Sequence, residues 1–307
     1  MKLSRQFILQ TLTFVICFAT LVLSLPACSS DDDRPLPGIE EDSNGRALRQ
    51  LTISDASLTR ATIDDATLAA RWSAGDVATY VNLSALSGEI HWGNLTAASS
   101  AQTTLLEGDV YCGLGDHLAV IYPSVTPQYN NASAEGSYTV VLSGQKGTLA
   151  DVGQHFHYVF GVAEVTAVED YKATGEASPM TSLLALCKFS FSDGTTPIAV
   201  KTLKISYGSN GKAGYPQTGT VTLGIDSSAD DVTVLPASLT SSNERVPLTI
   251  TLDEATSEGV YVALFPVAQS STFHFTVEDR AGNTYTGTAT AKLNAGKYYD
   301  SSLKLTK

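Results

Sequence analysis

The stretch VPLTITL, residues 246–252, places a large aliphatic side chain at every second position, with Pro247, Thr249 and Thr251 between. Val246, Leu248, Ile250 and Leu252 fall on one face of an extended chain, with the two-residue period of a half-buried β-strand. The same period recurs through the chain. In LLALCKFSF (183–191) it aligns Leu183, Ala185, Cys187, Phe189 and Phe191; in LKISY (203–207) it aligns Leu203, Ile205 and Tyr207. TVTLGI (220–225) aligns Val221, Leu223 and Ile225, and TYTGTATAKL (284–293) aligns Tyr285, Ala289, Ala291 and Leu293. Turn-forming text separates these runs: SDGTTP (192–197), YGSNGKAGYP (207–216) and EDRAGN (278–283). Helix signals are scarce. Short strands at regular spacing with Gly, Asn, Asp and Pro between them predict an all-β protein built from β-sandwiches.

Roughly 250 residues of such text exceed one ordinary sandwich, so two tandem domains are expected. The strand pattern breaks at VEDYKATGEASPMTSL (168–183), where small and polar residues surround Pro179. This puts the expected boundary between 175 and 176, giving an N-terminal domain over 50–175 and a C-terminal domain over 176–307.

The beginning of the chain reads differently. Lys2 and Arg5 precede an uncharged apolar stretch from Phe7 to Leu25, which then meets LSLPACSSDDD (23–33). A basic start, an apolar core and small residues before a cut site describe a secretory signal; a membrane anchor is the alternative for a run of this length. Leu25-Pro26-Ala27-Cys28 resembles the lipobox of bacterial lipoproteins, which implies cleavage before Cys28 and lipidation (palmitate among the acyl groups) of its thiol. Pro26 departs from the commonest lipobox residues. SSDDD resembles the acidic tag that sends Bacteroidetes lipoproteins to the outer face of the outer membrane. Residues 1–27 are thus expected to be a signal peptide. Residues 28–49, acidic, Pro- and Gly-bearing and aperiodic at the start, are expected to form a flexible tether.

Composition narrows the partners. The formal net charge is −12, with 16% charged residues; an acidic chain of this kind offers nucleic acid or anionic lipid no basic patch. Of the four cysteines, Cys17 leaves with the signal and Cys28 takes the lipid. Cys112 and Cys187 remain, compatible either with a disulfide in an oxidising compartment or with two small buried hydrophobes.

Several longer stretches resemble the fimbrillins of the Bacteroidales, subunits of type V pili made as surface lipoproteins. ARWSAGDVATYVNL (70–83) is similar to the family's Trp-then-GD opening strand, and LLEGDVY (105–111) with HLAVIYPS (117–124) to its later strands and Tyr-Pro corner. TSLLALCKFSF (181–191) resembles the strand that opens the second domain. GVYVALFPVAQSSTFHFTVEDRAGNTYTGTATAKLNAGKYYDSSLKL (259–305) resembles the family's ending, with its Pro-terminated strand, hairpin and AGKYY motif. The resemblance implies two transthyretin-like, Greek-key sandwiches, no enzymatic role and no cofactor. It implies other pilus subunits as partners, an outer-membrane precursor and an unspecified host or bacterial surface ligand.

It also implies a processing step. Fimbrillin precursors are cut after an arginine that follows a first strand, and a neighbour's strand fills the groove left behind. In LTISDASLTRAT (51–62) that arginine is Arg60, and residues 50–60 are the leaving strand; Arg46 and Arg49 are competing sites, and an uncut surface loop is the alternative. Leu51 and Ile53 are out of phase with Leu58, so this strand needs a bulge or pairs only in part. In YYDSSLKLTK (298–307), Leu303 and Leu305 alternate with Lys304 and Thr306, which makes this segment the candidate donor strand.

Enzymatic signals are weak. His155 and His157 in HFHYVF (155–160) would share a strand face, a spacing for a metal pair, but no third ligand is identifiable. His91, His117 and His274 are isolated. No GxSxG, HExxH or phosphate loop occurs. A second function class is a glycan-binding surface lipoprotein, with Trp72 and Trp92 among thirteen tyrosines as its platform. Cys28→Ala should abolish labelling of the precursor with a palmitate analogue; labelling that survives the substitution would remove the lipoprotein reading.

Overall fold

In the computed structural model a sheet closes on itself in the first half of the chain. The structure describes residues 39–57, 71–85, 91–130, 135–208, 214–226, 233–234, 238–241 and 246–307. They lie within a unit spanning Ile39–Lys307 and are nearly all β. Cys28 and Arg60 lie outside the described residues.

The first-half strands are β1 (Ala47–Ser57), β2 (Val77–Asn82), β3 (Trp92–Ala97), β4 (Thr103–Cys112) and β5 (His117–Tyr122). Then β6 (Gln128–Asn130) and β7 (Glu135–Val141) leave this sheet, to which β8 (Val159–Glu169), β9 (Lys172–Ala177) and β10 (Thr181–Ser182) return. The sheet order is β10-β8-β5-β2-β3-β4-β1-β9, and β9 pairs back onto β8. Seven strands from β8 round to β9 therefore make a barrel-like closed sheet in place of the expected transthyretin-like, Greek-key sandwich. Closure depends on β1, which runs antiparallel to β4 and parallel to β9. Alternation puts Leu51, Ile53, Tyr80, Leu95, Leu106, Val110, Leu118 and Val120 inside.

The second half contains β11 (Ala185–Ser192), β12 (Val200–Tyr207), β13 (Thr218–Leu223), β14 (Ile225–Asp226), β15 (Thr233–Val234) and β16 (Ser238–Ser241). It continues with β17 (Leu248–Thr256), β18 (Val260–Leu264), β19 (Val267–Asp279), β20 (Thr284–Leu293) and β21 (Tyr298–Lys304). Sheet β18-β11-β21 faces sheet β17-β12-β19-β20. Phe189 and Phe191 of β11 meet Phe275 of β19 with ring centroids 5.0 and 5.9 Å apart. This is the aromatic core that the alternation of 183–191 and 203–207 predicts. Val246 departs from its predicted face: it precedes β17 and is exposed, because the ladder with β12 begins at Leu248.

The halves are not separable at 175/176. That position lies inside β9, and the barrel sheet continues to Ser182 through β10. Moreover β7, from the first half, pairs with β13 of the second in the sheet β16-β13-β7-β6. Val81, Ala119, Ile121 and Phe160, which lie on the outer side of the barrel wall, share one core with Phe189, Leu203 and Phe275. The local pattern near Pro179 marks a change of sheet, whereas the long-range pairing of β7 crosses it.

The tether also ends earlier than 49. Asp42 turns the chain by accepting from the N–H groups of Asn44 and Arg46 at 2.8 and 2.9 Å, and β1 has begun by Ala47. Truncating Phe275 to Ala should cost about 3–5 kcal/mol. Because the core is shared and both tryptophans belong to the barrel half, tryptophan fluorescence and far-UV circular dichroism should shift to a lower midpoint together. A barrel transition that stays put would contradict the shared core.

Candidate functional site: the first strand and its groove

The inward side chains of β1 read Ala47, Arg49, Leu51, Ile53. Three are apolar and seal the barrel, and the fourth is a buried guanidinium at its mouth. After Ile53 the register with β4 slips before Ala56, and Asp55 adopts φ +58°. This is the bulge that the phase change in 51–58 requires, and it returns Ala56 to the interior. On the β9 side Gly175 lies opposite Ile53; a Cβ there would stand 2.9 Å from the Glu164 carbonyl oxygen, so glycine lets β9 approach β8 this closely.

Both ends of β1 are clamped. Arg49 donates through Nε to the Asp170 carbonyl at 2.9 Å, through one terminal nitrogen to the carbonyls of Gly45 (3.2 Å) and Cys112, and through the other to the Glu41 carboxylate. Taking a guanidinium out of water is costly, and these acceptors offset that cost; unpaired, the buried charge would be strongly unfavourable. Arg46 grips Asp116 in a two-pronged pair at 2.8–3.0 Å, and Asp116 also accepts from Asn82 Nδ2 and the Gly113 N–H. The Tyr111 hydroxyl, donating to Asp42 at 2.7 Å, together with the turn N–H groups holds the Asp42 carboxyl below its ordinary range. That tie is therefore complete above the usual aspartate pKa and is lost as the pH falls through the lowered value. At the far end the Trp72 indole N–H donates to the Ala56 carbonyl at 2.8 Å, and the Met180 N–H to that of Ser57 at 3.0 Å.

These contacts place the sequence-predicted residues. Arg46 and Arg49, read as competing cut sites, are engaged in the clamp, Arg49 within a strand paired on both edges. Arg71, which sequence reading passed over, is exposed between β1 and β2. Trp72 is 1% exposed and packs edge-on to Tyr122 at 5.3 Å, so it shares no surface platform with exposed Trp92. Cys112 and Cys187 are free thiols in separate cores, with pKa values pushed up by burial to about 11 and about 12. His155 sits in a helical turn (Val152–Phe156) against Asp151 rather than on a strand, because β8 starts only at Val159. Among the described residues no group of three His, Cys, Asp or Glu is placed to hold a metal ion. An open cleft of about 650 Å³ beside Lys146, Lys188, Asp253, Glu258 and Tyr261 carries both signs of charge.

The C-terminal strand is occupied within its own chain. β21 pairs in parallel with β11 from Leu186↔Tyr298 to Ser192↔Lys304, and Thr306 bridges to Thr286. Leu303 is half-buried, and Leu305 is buried over Gly287, where a Cβ would come within 2.5 Å of its Cδ2. Serving as a donor would take Leu305 out of this pocket.

No family model matches the chain, and no curated protein matches it. Among solved structures it is similar to a candidate cell adhesion protein of Bacteroides eggerthii (TM-score 0.36, 10% identity, 88% of each chain covered). It is also similar to a fimbrial protein of Bacteroides vulgatus (TM-score 0.34, 10% identity, covering 85% of this chain and 97% of that one). The shaft pilin SpaA of Lactobacillus rhamnosus GG, as a double mutant, aligns with a TM-score of 0.32 and 11% identity over 85% of this chain and 99% of that one. At these scores the likeness is loose.

Replacing Leu303 and Leu305 together with Asp should lower the melting temperature of the uncut monomer sharply, since it introduces charge into an apolar pocket. An unchanged melt would free β21 from its own domain and restore it as the donor.

Proposed function

We propose that this chain is a non-catalytic subunit of a bacterial surface pilus, shaft or tip, exported and lipidated at Cys28, whose first strand is exchanged during assembly. The observation that carries the reading is the position of β1. It is the first strand of the described residues, hydrogen-bonded on both edges, and it closes an otherwise open sheet. Cutting after Arg60 would leave β1 held only by its ladders and end clamps. Its departure would bare the backbone edges of β4 and β9, at about 0.5–1.5 kcal/mol per hydrogen bond. It would also empty the places of Leu51 and Ile53, each contributing about 1.5–3 kcal/mol by burial. An edge in that state seeks another strand, and a strand from a second subunit with alternating apolar residues satisfies it. The lipobox-like seam at Cys28 and the fimbrillin-like text of the chain support the same role, with the outer membrane as the site of the precursor and the surface fimbrium as that of the product.

Cleavage with an arginine-specific protease should convert monomer into polymerising species. Arg60→Ala should block this, and Arg71→Ala serves as the control for the second arginine between β1 and β2. Polymerisation that survives the loss of both arginines would exclude processing in this connection.

A further inference from the structure

Eight large apolar side chains are exposed among the described residues, and four of them gather at one end of the barrel. Leu48 (64% exposed) opens β1 opposite Tyr111 of β4. Leu114 (67%) tips the turn from β4 to β5, and Tyr171 (46%) tips the turn from β8 to β9, where its carbonyl receives the Gln50 N–H. Trp92 (40%) begins β3 opposite the end of β2, and His91 beside it stacks on Tyr111 at 4.3 Å. The ring surrounds the mouth that Arg46 and Arg49 fill. It is also the end at which the described chain begins, since Glu41 and Asp42 bind there to Arg49 and Tyr111.

We propose that this ring is a membrane-contact face, seated in the interfacial layer of the bilayer that carries the lipid on Cys28. The inference rests on the reading of Cys28 as the anchor. Cys28 stands eleven positions before Ile39, a reach of at most about 40 Å, and the mouth is the end of the barrel to which that segment attaches. Trp and Tyr carry the amphipathic rings that favour the headgroup level, and Leu48 and Leu114 supply apolar insertion. The charge around the ring is net acidic: Glu40, Asp109, Glu169 and Asp170 lie at this end against the exposed cation Lys172, while Arg46 and Arg49 are paired to Asp116 and Glu41. Attraction to anionic lipid is therefore excluded as the driving force, and contact is insensitive to salt. A covalent tether makes even a weak insertion effective through local concentration, and acyl chains hold best with a second contact.

The test couples a maleimide lipid to Cys28 of a chain beginning there, so that it does not depend on lipidation by the cell; Cys112 and Cys187 are buried and do not compete. The product is placed in phosphatidylcholine vesicles with and without brominated acyl chains, and Trp92 emission is taken as the difference from a Trp92→Phe control. The expected result is loss of most Trp92 emission to bromolipid, with protection from aqueous iodide. Leu114→Asp, alone or with Leu48→Asp, should restore emission while the thermal melt stays unchanged. No bromolipid quenching overturns the proposal, as does quenching that both Asp variants leave intact. Iodide protection without bromolipid quenching would mean that a second copy of the chain covers the ring, and overturns it too. Failure here, with Cys28 labelled in cells, sinks the contact face and leaves the anchor standing.

Discussion

The double-edged pairing of β1 is the constraint on which the rest of this structure depends. Without it, β4 and β9 are edges and the sheet from β8 to β9 is open; with it, the same strands close around Leu51 and Ile53. Closure is the one arrangement of a sheet that leaves no edge to blunt. Here it relies on a strand that is terminal in the unit and joined to β2 by a single connection. The rest of the barrel is stitched by the hairpins β2-β3, β3-β4 and β8-β9, by the longer-range pairs β2-β5 and β5-β8, and by its shared core with the second half. The element with the greatest effect on closure is thus the one that the chain connectivity most readily releases.

The clamps at the two ends divide the work of holding that strand. At the mouth, Arg49 gathers three carbonyls and a carboxylate and Arg46 holds Asp116, which fixes register through directional, charge-assisted bonds. At the far end Trp72 and Met180 bind the last two carbonyls after the bulge. Between them the ladders to β4 and β9 and the burial of Leu51 and Ile53 hold the middle of the strand. An incoming strand could match the apolar middle with ease, whereas reproducing a buried guanidinium at the mouth is far more selective. In the proposed exchange the clamp residues would set which strand fits, and the groove would set how tightly.

Part of this was legible in the sequence. The alternation of 248–252, 203–207 and 183–191 marked real strands because one face of each reaches the core. The opposite face is wet in 248–252, whereas Leu184, Leu186 and Ser206 are buried as well. The phase slip between Ile53 and Leu58 announced the bulge. Barrel closure was not legible, because the parallel pairing of β1 with β9 joins segments more than a hundred residues apart and leaves no local trace. β7 and β13, whose paired residues lie about 80 positions apart, likewise leave no local trace, and their pairing crosses the boundary expected at 175/176. Arg49 looked like a protease site because an isolated arginine in sequence carries no sign of the carbonyls that will surround it. Trp72 looked like a ligand platform for a similar reason: its indole N–H partner, the Ala56 carbonyl, lies across a chain segment whose path sequence alone does not reveal. For Leu303 and Leu305 the period was read correctly, and what it left open was whose pocket they fill.

The most direct measurement is binding of a fluorescent peptide of residues 46–57 to a chain from which β1 has been removed. The account predicts a folded, β-rich acceptor that takes up one peptide per chain, and much weaker uptake of peptides in which Leu51 is replaced by Asp or Arg49 by Ala. An acceptor that unfolds on losing β1, or one that stays folded and ignores the peptide, would contradict the claim that this strand is a removable closure.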